Sequence, residues 1–528
     1  MNFTKRPFRG VSDKKPLMGT AKYRSLAVLG FLLIIGIFVY LPFVSSTVFG
    51  ERDAYRVAVG LIESIRADQP LANSLLYGLD KSFAYFAFLD IFSPLLRENP
   101  GLVVPIMNYA NALASIVLII PFYLLIKKHW GIISAIFANL VLMSVPVWHQ
   151  TSLYGHPMVP AVTFVILGFF LIDLRSQKGQ TESASIQLLA LDFLVVAILS
   201  VSLMLRLDSI MTFLFIPGLL LLNRESYTNI CIRSSCYIIL PIFIFFATKS
   251  VVSGLNMPET NASSSFLDQL LLWHSFTRFQ ENLIYGNILF IKAFNPLYLL
   301  IFLLACFYFF KKKRIELLIF VLPLFIFSYL FWLPNPSPER HFIYGTISYA
   351  VAISIFLNDS YHLIRRKTQG RSYIQSVVLF CAVFLLVVSH IKDYKPPYYA
   401  SGITANELNL LGRHLQDFER RDNPILVIGD VIPTLLYMQN SSDLVRVSLK
   451  NTNILNEFGV PMEIMITDNG KNTFISFGFF HLGSLAEDAI NFLDGFDQYK
   501  KIDVFVDPEL ELDNFPVKTI QSTLLIKQ

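Results

Sequence analysis

Residues 45–101 read SSTVFGERDAYRVAVGLIESIRADQPLANSLLYGLDKSFAYFAFLDIFSPLLRENPG, and this stretch decides how the rest of the chain is organised. It follows the first hydrophobic run and is too long and too patterned to be a mere connector. Its first half sets Ala54, Val57, Ala58, Leu61 and Ile65 at offsets 0, 3, 4, 7 and 11, with Arg52, Arg56, Glu63 and Arg66 on other faces. That is the spacing of an amphipathic helix. Its second half, from Ser82 to Ile91, carries Phe83, Tyr85, Phe86 and Phe88, with Phe92 just beyond. Aromatics of this density favour a bilayer's headgroup boundary. The expectation is two short helices lying in the membrane plane, with Glu51 and Asp53 where the first begins.

The composition fits that setting. The 528 residues are 54% hydrophobic, and a mean hydropathy of +0.54 lies outside the range of soluble domains. The formal charge of +5 matters less than where it sits. Lys5, Arg6, Arg9, Lys14, Lys15, Lys22 and Arg24 face one acid, Asp13, ahead of the first span. Such a basic tail predicts a cytoplasmic N-terminus. Cys231, Cys236, Cys306 and Cys381 all lie in or beside hydrophobic runs, which argues against a disulfide framework or a thiolate metal site. Nothing suggests a nucleic-acid partner.

With about 20 apolar residues needed per crossing, eleven spans are expected. They fall near 25–44, 102–126, 130–148, 157–174, 187–205, 208–223, 236–252, 293–310, 315–333, 341–357 and 374–391. Alternate connections are basic: Lys127 and Lys128; Arg175 and Lys178; Arg224 and Arg233; Lys311 to Arg314; Arg365, Arg366, Lys367 and Arg371. The positive-inside bias puts these in the cytoplasm and residues 45–101 outside. The expected fold class is membrane all-α, with about eleven transmembrane helices, two in-plane helices and a small C-terminal α/β extracytoplasmic domain. The boundaries are 1–24 for the basic tail, 25–391 for the membrane domain and 392–528 for the outer domain. In that domain 424–429 and 501–506 read as strands and 405–418 and 486–493 as helices. A multi-pass cell membrane location follows, inner or plasma membrane, with the lipid bilayer as a partner.

Glu51-Arg52-Asp53, LYGHPMVPAVTFVILGFFLIDL (153–174), LMLRLDSIMTFLFIPGLLLL (203–222) and PERHFIYGTISYA (338–350) together carry a resemblance. The chain resembles the GT-C integral-membrane glycosyltransferases, in the polyprenyl-phosphate-sugar-dependent group with aminoarabinose- and mannosyl-transferase-like members. The resemblance covers residues 25–391 and implies transfer of a hexosyl or pentosyl group from a polyprenyl-phosphate-linked sugar donor to a glycan, lipid or protein acceptor. It implies that Asp53 is the general base and Glu51 its helper. A lipid phosphate as leaving group calls for cations where negative charge develops. Arg340 is the best phosphate ligand because a guanidinium grips two oxygens, with His341, Arg206, Tyr85 and His156 as further substrate-binding candidates. Arg206 beside Asp208 also reads as a structural pair at a span end. The second outer turn, His149 to His156, has no acid, a departure from the family's pattern, so no metal is required and a divalent metal stays open. A polytopic transporter or lipid-handling permease is the alternative. The spans look nearly free of ionisable residues, which counts against it.

Overall fold

The computed structural model describes residues 18–44, 54, 57, 58, 61, 65, 82–98, 102–181, 186–253, 284, 286–288, 290–332 and 339–367, and five strands between 425 and 527. Glu51, Asp53, the span at 374–391 and the helices at 405–418 and 486–493 lie outside the described residues.

The membrane part is a bundle of helices whose apolar sequences leave their backbone bonds nowhere to go but inward along each helix. Helix α1 is Met18–Tyr40; α2 is Phe83–Asp90 and α3 Ser93–Glu98; α4 is Val103–Ser144, α5 Pro146–Ser152, α6 Met158–Thr181 and α7 Ile186–Leu205. A 3-10 segment, Leu207–Leu214, leads into α8, Phe215–Leu222. Then come α9, Tyr227–Ser253, α10, Pro296–Lys311, and α11, Ile315–Trp332. A second 3-10 segment, Glu339–Gly345, opens α12, Thr346–Lys367. Among the described residues six helices are long and apolar enough to cross a bilayer, or seven if a pair bent at Asn295 counts as one. The chain is a multi-pass membrane protein.

The differences from the eleven expected spans have local causes. The runs 102–126 and 130–148 are the two arms of α4, separate helices as expected, which meet at the non-helical Gly131, whose φ of 86° suits glycine. The second arm stops at Ser144 because Pro146 cannot continue the helix, and α5 restarts on it. The run 208–223 divides into a 3-10 segment and a two-turn helix. At the break before α10, the Asn295 side chain accepts from Leu297 N (3.0 Å) and Tyr349 donates to Phe294 O (2.6 Å). The broken helix therefore keeps its polar backbone satisfied in apolar surroundings.

Two apolar cores result. The larger runs the length of the bundle, from Tyr40 and Trp148 through Phe169 and Phe215 to Tyr349. Gly168 lets α6 approach α7 closely: an added Cβ would stand 2.7 Å from Leu199 Cδ2. The smaller core is built on the amphipathic stripe. Ala54, Val57, Ala58, Leu61 and Ile65 are all buried, against Tyr85, Phe86 and Leu89 of α2, Val103, Val104 and Met107 of α4, Ala161 and Leu205. The apolar stripe that the spacing predicts is covered by protein. The aromatic half divides: Phe83, Tyr85 and Phe86 turn inward, while Phe88 and Ile91 are exposed.

The C-terminal strands are β1 Ile425–Gly429, β2 Leu444–Val447, β3 Asn472–Ser476, β4 Tyr499–Val504 and β5 Ser522–Lys527. They form one sheet in the order β2-β1-β3-β5-β4. β1 is parallel to β2 and β3, and β5 is antiparallel to β3 and β4. Two of these strands were expected, the second two residues further on than observed; β2, β3 and β5 were not.

The spans also carry more charge than the sequence reading allowed. At the end of the bundle that holds the basic turns, Asp173 of α6 accepts from Lys128 and His129 (2.5 and 2.9 Å). Asp192 of α7 accepts from Arg175 (3.0 Å) and lies 3.8 Å from Arg233, which also pairs with Glu225. Arg314 meets Asp359 at 2.7 Å. These pairs join α4, α6, α7 and α9, and the turn before α11 to α12, at the end of the bundle called the basic end below.

Candidate active site

The other end of the bundle gathers the polar residues that the motifs singled out. α5 anchors it. Trp148 Nε1 donates to the Tyr40 hydroxyl at 3.1 Å, and His149 Nε2 lies 3.1 Å from Val39 O while its ring stacks on Tyr40. His149 is thereby fastened to the end of α1. On its other side α5 packs against the 3-10 segment that bears Arg340 and His341.

His156 sits in the turn between α5 and α6, fully buried. Its Nδ1 accepts from Met158 N at 3.3 Å, which leaves Nε2 to carry the proton. Burial first, and then the positive fields of Arg206 and Arg340, hold its pKa well below the ordinary 6.5. The imidazole is therefore a neutral donor. That cause also locates the two arginines: although 134 residues apart in sequence, both act on this one ring. Arg206 ends α7 in an extended conformation, and its Nε donates to Asp208 at 3.0 Å. Arg340 and His341 are each less than a tenth exposed. Tyr344, one turn on, is fully buried within electrostatic reach of Asp208 and Arg206, and its hydroxyl has no hydrogen-bond partner among the described residues.

Arg206 and Arg340 thus lie within electrostatic reach of His156, with His341 beside Arg340 in the chain. Tyr85 is placed differently. It is buried under the smaller core, and its hydroxyl donates to Asn111 Oδ1 at 3.4 Å. Asp53 and Glu51, which precede the buried Ala54 in sequence, are outside the described residues. Asp208 joins Arg206 as a pair, as the sequence suggested. Tyr344 and Asn111 were not anticipated. A signal for Asn111 was present in the spacing of Asn108, Asn111 and Ser115, three buried polar residues on one face of an apolar span. No group of three or more metal-ligating side chains occurs among the described residues.

An anion fits this arrangement. Arg206 and Arg340 both lie within electrostatic reach of the buried His156, in surroundings where charge-assisted hydrogen bonds are strong. The fold that carries it is that of the GT-C membrane glycosyltransferases. Among solved structures, the chain is similar to ArnT from Cupriavidus metallidurans bound to undecaprenyl phosphate, with a TM-score of 0.54, 12% identity, and coverage of 96% of this chain and 98% of that one. The apo form of the same protein gives 0.51 and 13%. The apo oligosaccharyltransferase of Archaeoglobus fulgidus gives 0.50 at 12%, over 84% of this chain and 67% of that one. In complex with an inhibitory peptide and a dolichol-phosphate, the archaeal enzyme is spanned over only 61% of its length. At such identities the likeness establishes a shared fold. No family model and no curated protein matches the chain.

Proposed function

We propose that the protein is an inverting GT-C-type glycosyltransferase that moves a hexosyl or pentosyl group from a polyprenyl-phosphate donor to an acceptor hydroxyl on a glycan, lipid or protein. The observation that carries this reading is the fold shared over 96% of this chain with ArnT bound to undecaprenyl phosphate, together with the placing of the buried His156, Arg206 and Arg340 at one end of the bundle. Such a constellation suits the phosphate of a lipid carrier.

In this reading Arg340, with His156 Nε2 and His341 assisting, holds the phosphate as negative charge grows on it. The lipid tail lies along the apolar helices. Asp53 accepts the proton of the attacking hydroxyl, aided by Glu51. The acceptor oxygen bonds to the anomeric carbon, the bond from that carbon to the phosphate oxygen breaks, and its electron pair leaves with polyprenyl phosphate. One displacement inverts the sugar. Transfer takes place at the extracytoplasmic face of a cell membrane, with the N-terminus cytoplasmic and the C-terminal sheet on the same side as the site.

The purified protein, offered radiolabelled sugars on undecaprenyl phosphate, is expected to release undecaprenyl phosphate. Asp53→Asn is expected to lower turnover by about 10³-fold without lowering thermal stability. Near-normal turnover in that variant would end the assignment of the base.

A further inference from the structure

The turn that carries His156 is an awkward piece of backbone. Between α5 and α6 the chain leaves carbonyls that no helix satisfies, and it does so fully buried. Asn111, on the first arm of α4, meets them. Its Nδ2 donates to Tyr154 O, to His156 O at 2.5 Å and, at 3.4 Å, to Thr151 O. Its Oδ1 faces the Tyr85 hydroxyl at 3.4 Å, which fixes which end of the amide is the donor. One turn along α4, Ser115 Oγ donates to Ser152 Oγ at 2.6 Å. The same helix face therefore grips the turn twice, but only Asn111 touches the part that holds the imidazole.

We propose that Asn111 is the positioning residue of this site: by gathering the carbonyls of Thr151, Tyr154 and His156 on one amide, it fixes the turn so that His156 presents Nε2 as a hydrogen-bond donor. The requirement is chemical. An amide offers two N–H groups; serine offers one donor, and an aspartate would set its oxygens against three carbonyls. Tyr85 extends the grip to α2, so the first loop and the second turn are held to one reference point. The inference rests on the proposed donor pocket for its purpose, but not for its test.

Released from Asn111, the turn lets water reach the ring, and desolvation, the main cause of its neutrality, weakens. Among the described residues, the other charged or titratable groups on the elements packed about it are Arg206 and Asp208, Arg340, His341 and Tyr344, His149 and Tyr154, Tyr40, and Tyr85. None of these is altered by the substitution. The test is imidazole C2–H exchange read by mass spectrometry on the full chain in nanodiscs, between about pH 5 and 8. In the wild type, His156 is expected to show no titration in that window. In Asn111→Ser it should titrate, its midpoint raised by at least about one pH unit. Ser115→Ala, which loosens the other grip, should leave His156 unchanged. Tyr85→Phe, a milder variant that keeps the ring, should move His156 in the same direction by less. An unchanged His156 in both Asn111→Ser and Tyr85→Phe, or an equal shift in Ser115→Ala, overturns the proposal. No lipid is used, so failure of the donor-pocket reading, seen as absent undecaprenyl phosphate binding in the wild type, is a separate result.

Discussion

The two ends of the bundle treat buried charge in opposite ways. At the basic end, Lys128, Arg175, Arg233 and Arg314 meet Asp173, Asp192, Glu225 and Asp359, four cations against four carboxylates, in pairs that tie α4 to α6, α6 to α7, α7 to α9 and the turn before α11 to α12. Each charge there has an opposite within contact distance, as burial demands. At the site end, Arg206 pairs with Asp208 at 3.0 Å, and with Arg340 it adds like charge about one buried histidine, which burial first and then their field keep neutral. The first pattern holds helices together. The second concentrates positive potential where the helices are broken by 3-10 segments at 207–214 and 339–345.

The sharpest way to break that comparison is at the basic end. Asp173→Ala leaves Lys128 without the carboxylate it meets and is expected to cost about 3 kcal/mol or more. The loss should appear as a large fall in apparent Tm, while undecaprenyl phosphate binding by the folded fraction stays unchanged. Next comes the site end's own titration. A ring held neutral in the fold resists a proton that the unfolded chain accepts below pH 6.5. Unfolding is therefore favoured as pH falls below that value, by about 1.4 kcal/mol per unit, and His156 contributes nothing above it. His156→Gln should flatten this acid-side fall in Tm; an unaltered slope would show that the ring is not held neutral. The smallest effect concerns the turn at the basic end. Gly131→Ala forces an L side chain to a φ of 86° and should lower stability by about 1 kcal/mol with no change in lipid binding.

Much of this architecture was legible in hydropathy. The runs that became α1, α4, α6, α7 and α9 declare themselves because a helix in lipid must be apolar all round. The stripe from Ala54 to Ile65 was legible as well, and all five residues are buried. What covers it was not, because periodicity marks an apolar face without saying whether lipid or protein lies against it. The breaks near Leu207 and Glu339 were legible as gaps between spans, but the 3-10 segments that follow them were not, since a 3-10 segment and an α-helix share their early hydrophobic spacing. Arg206, Arg340 and His156 were recognisable singly as polar residues at span ends. Their convergence depends on how α5, α7 and α12 pack, which no local pattern encodes. Nothing in the local sequence pairs Asp173 and Asp192 with Lys128, Arg175 and Arg233, which come from other helices to meet them.

The account stands most directly on lipid binding by paired variants, one from each end. Undecaprenyl phosphate affinity should fall by about 30-fold or more in Arg340→Ala, through loss of a charged hydrogen-bonding group, and stay at the wild-type value in Arg314→Met. Wild-type affinity in Arg340→Ala, or an equal loss in Arg314→Met, would contradict it.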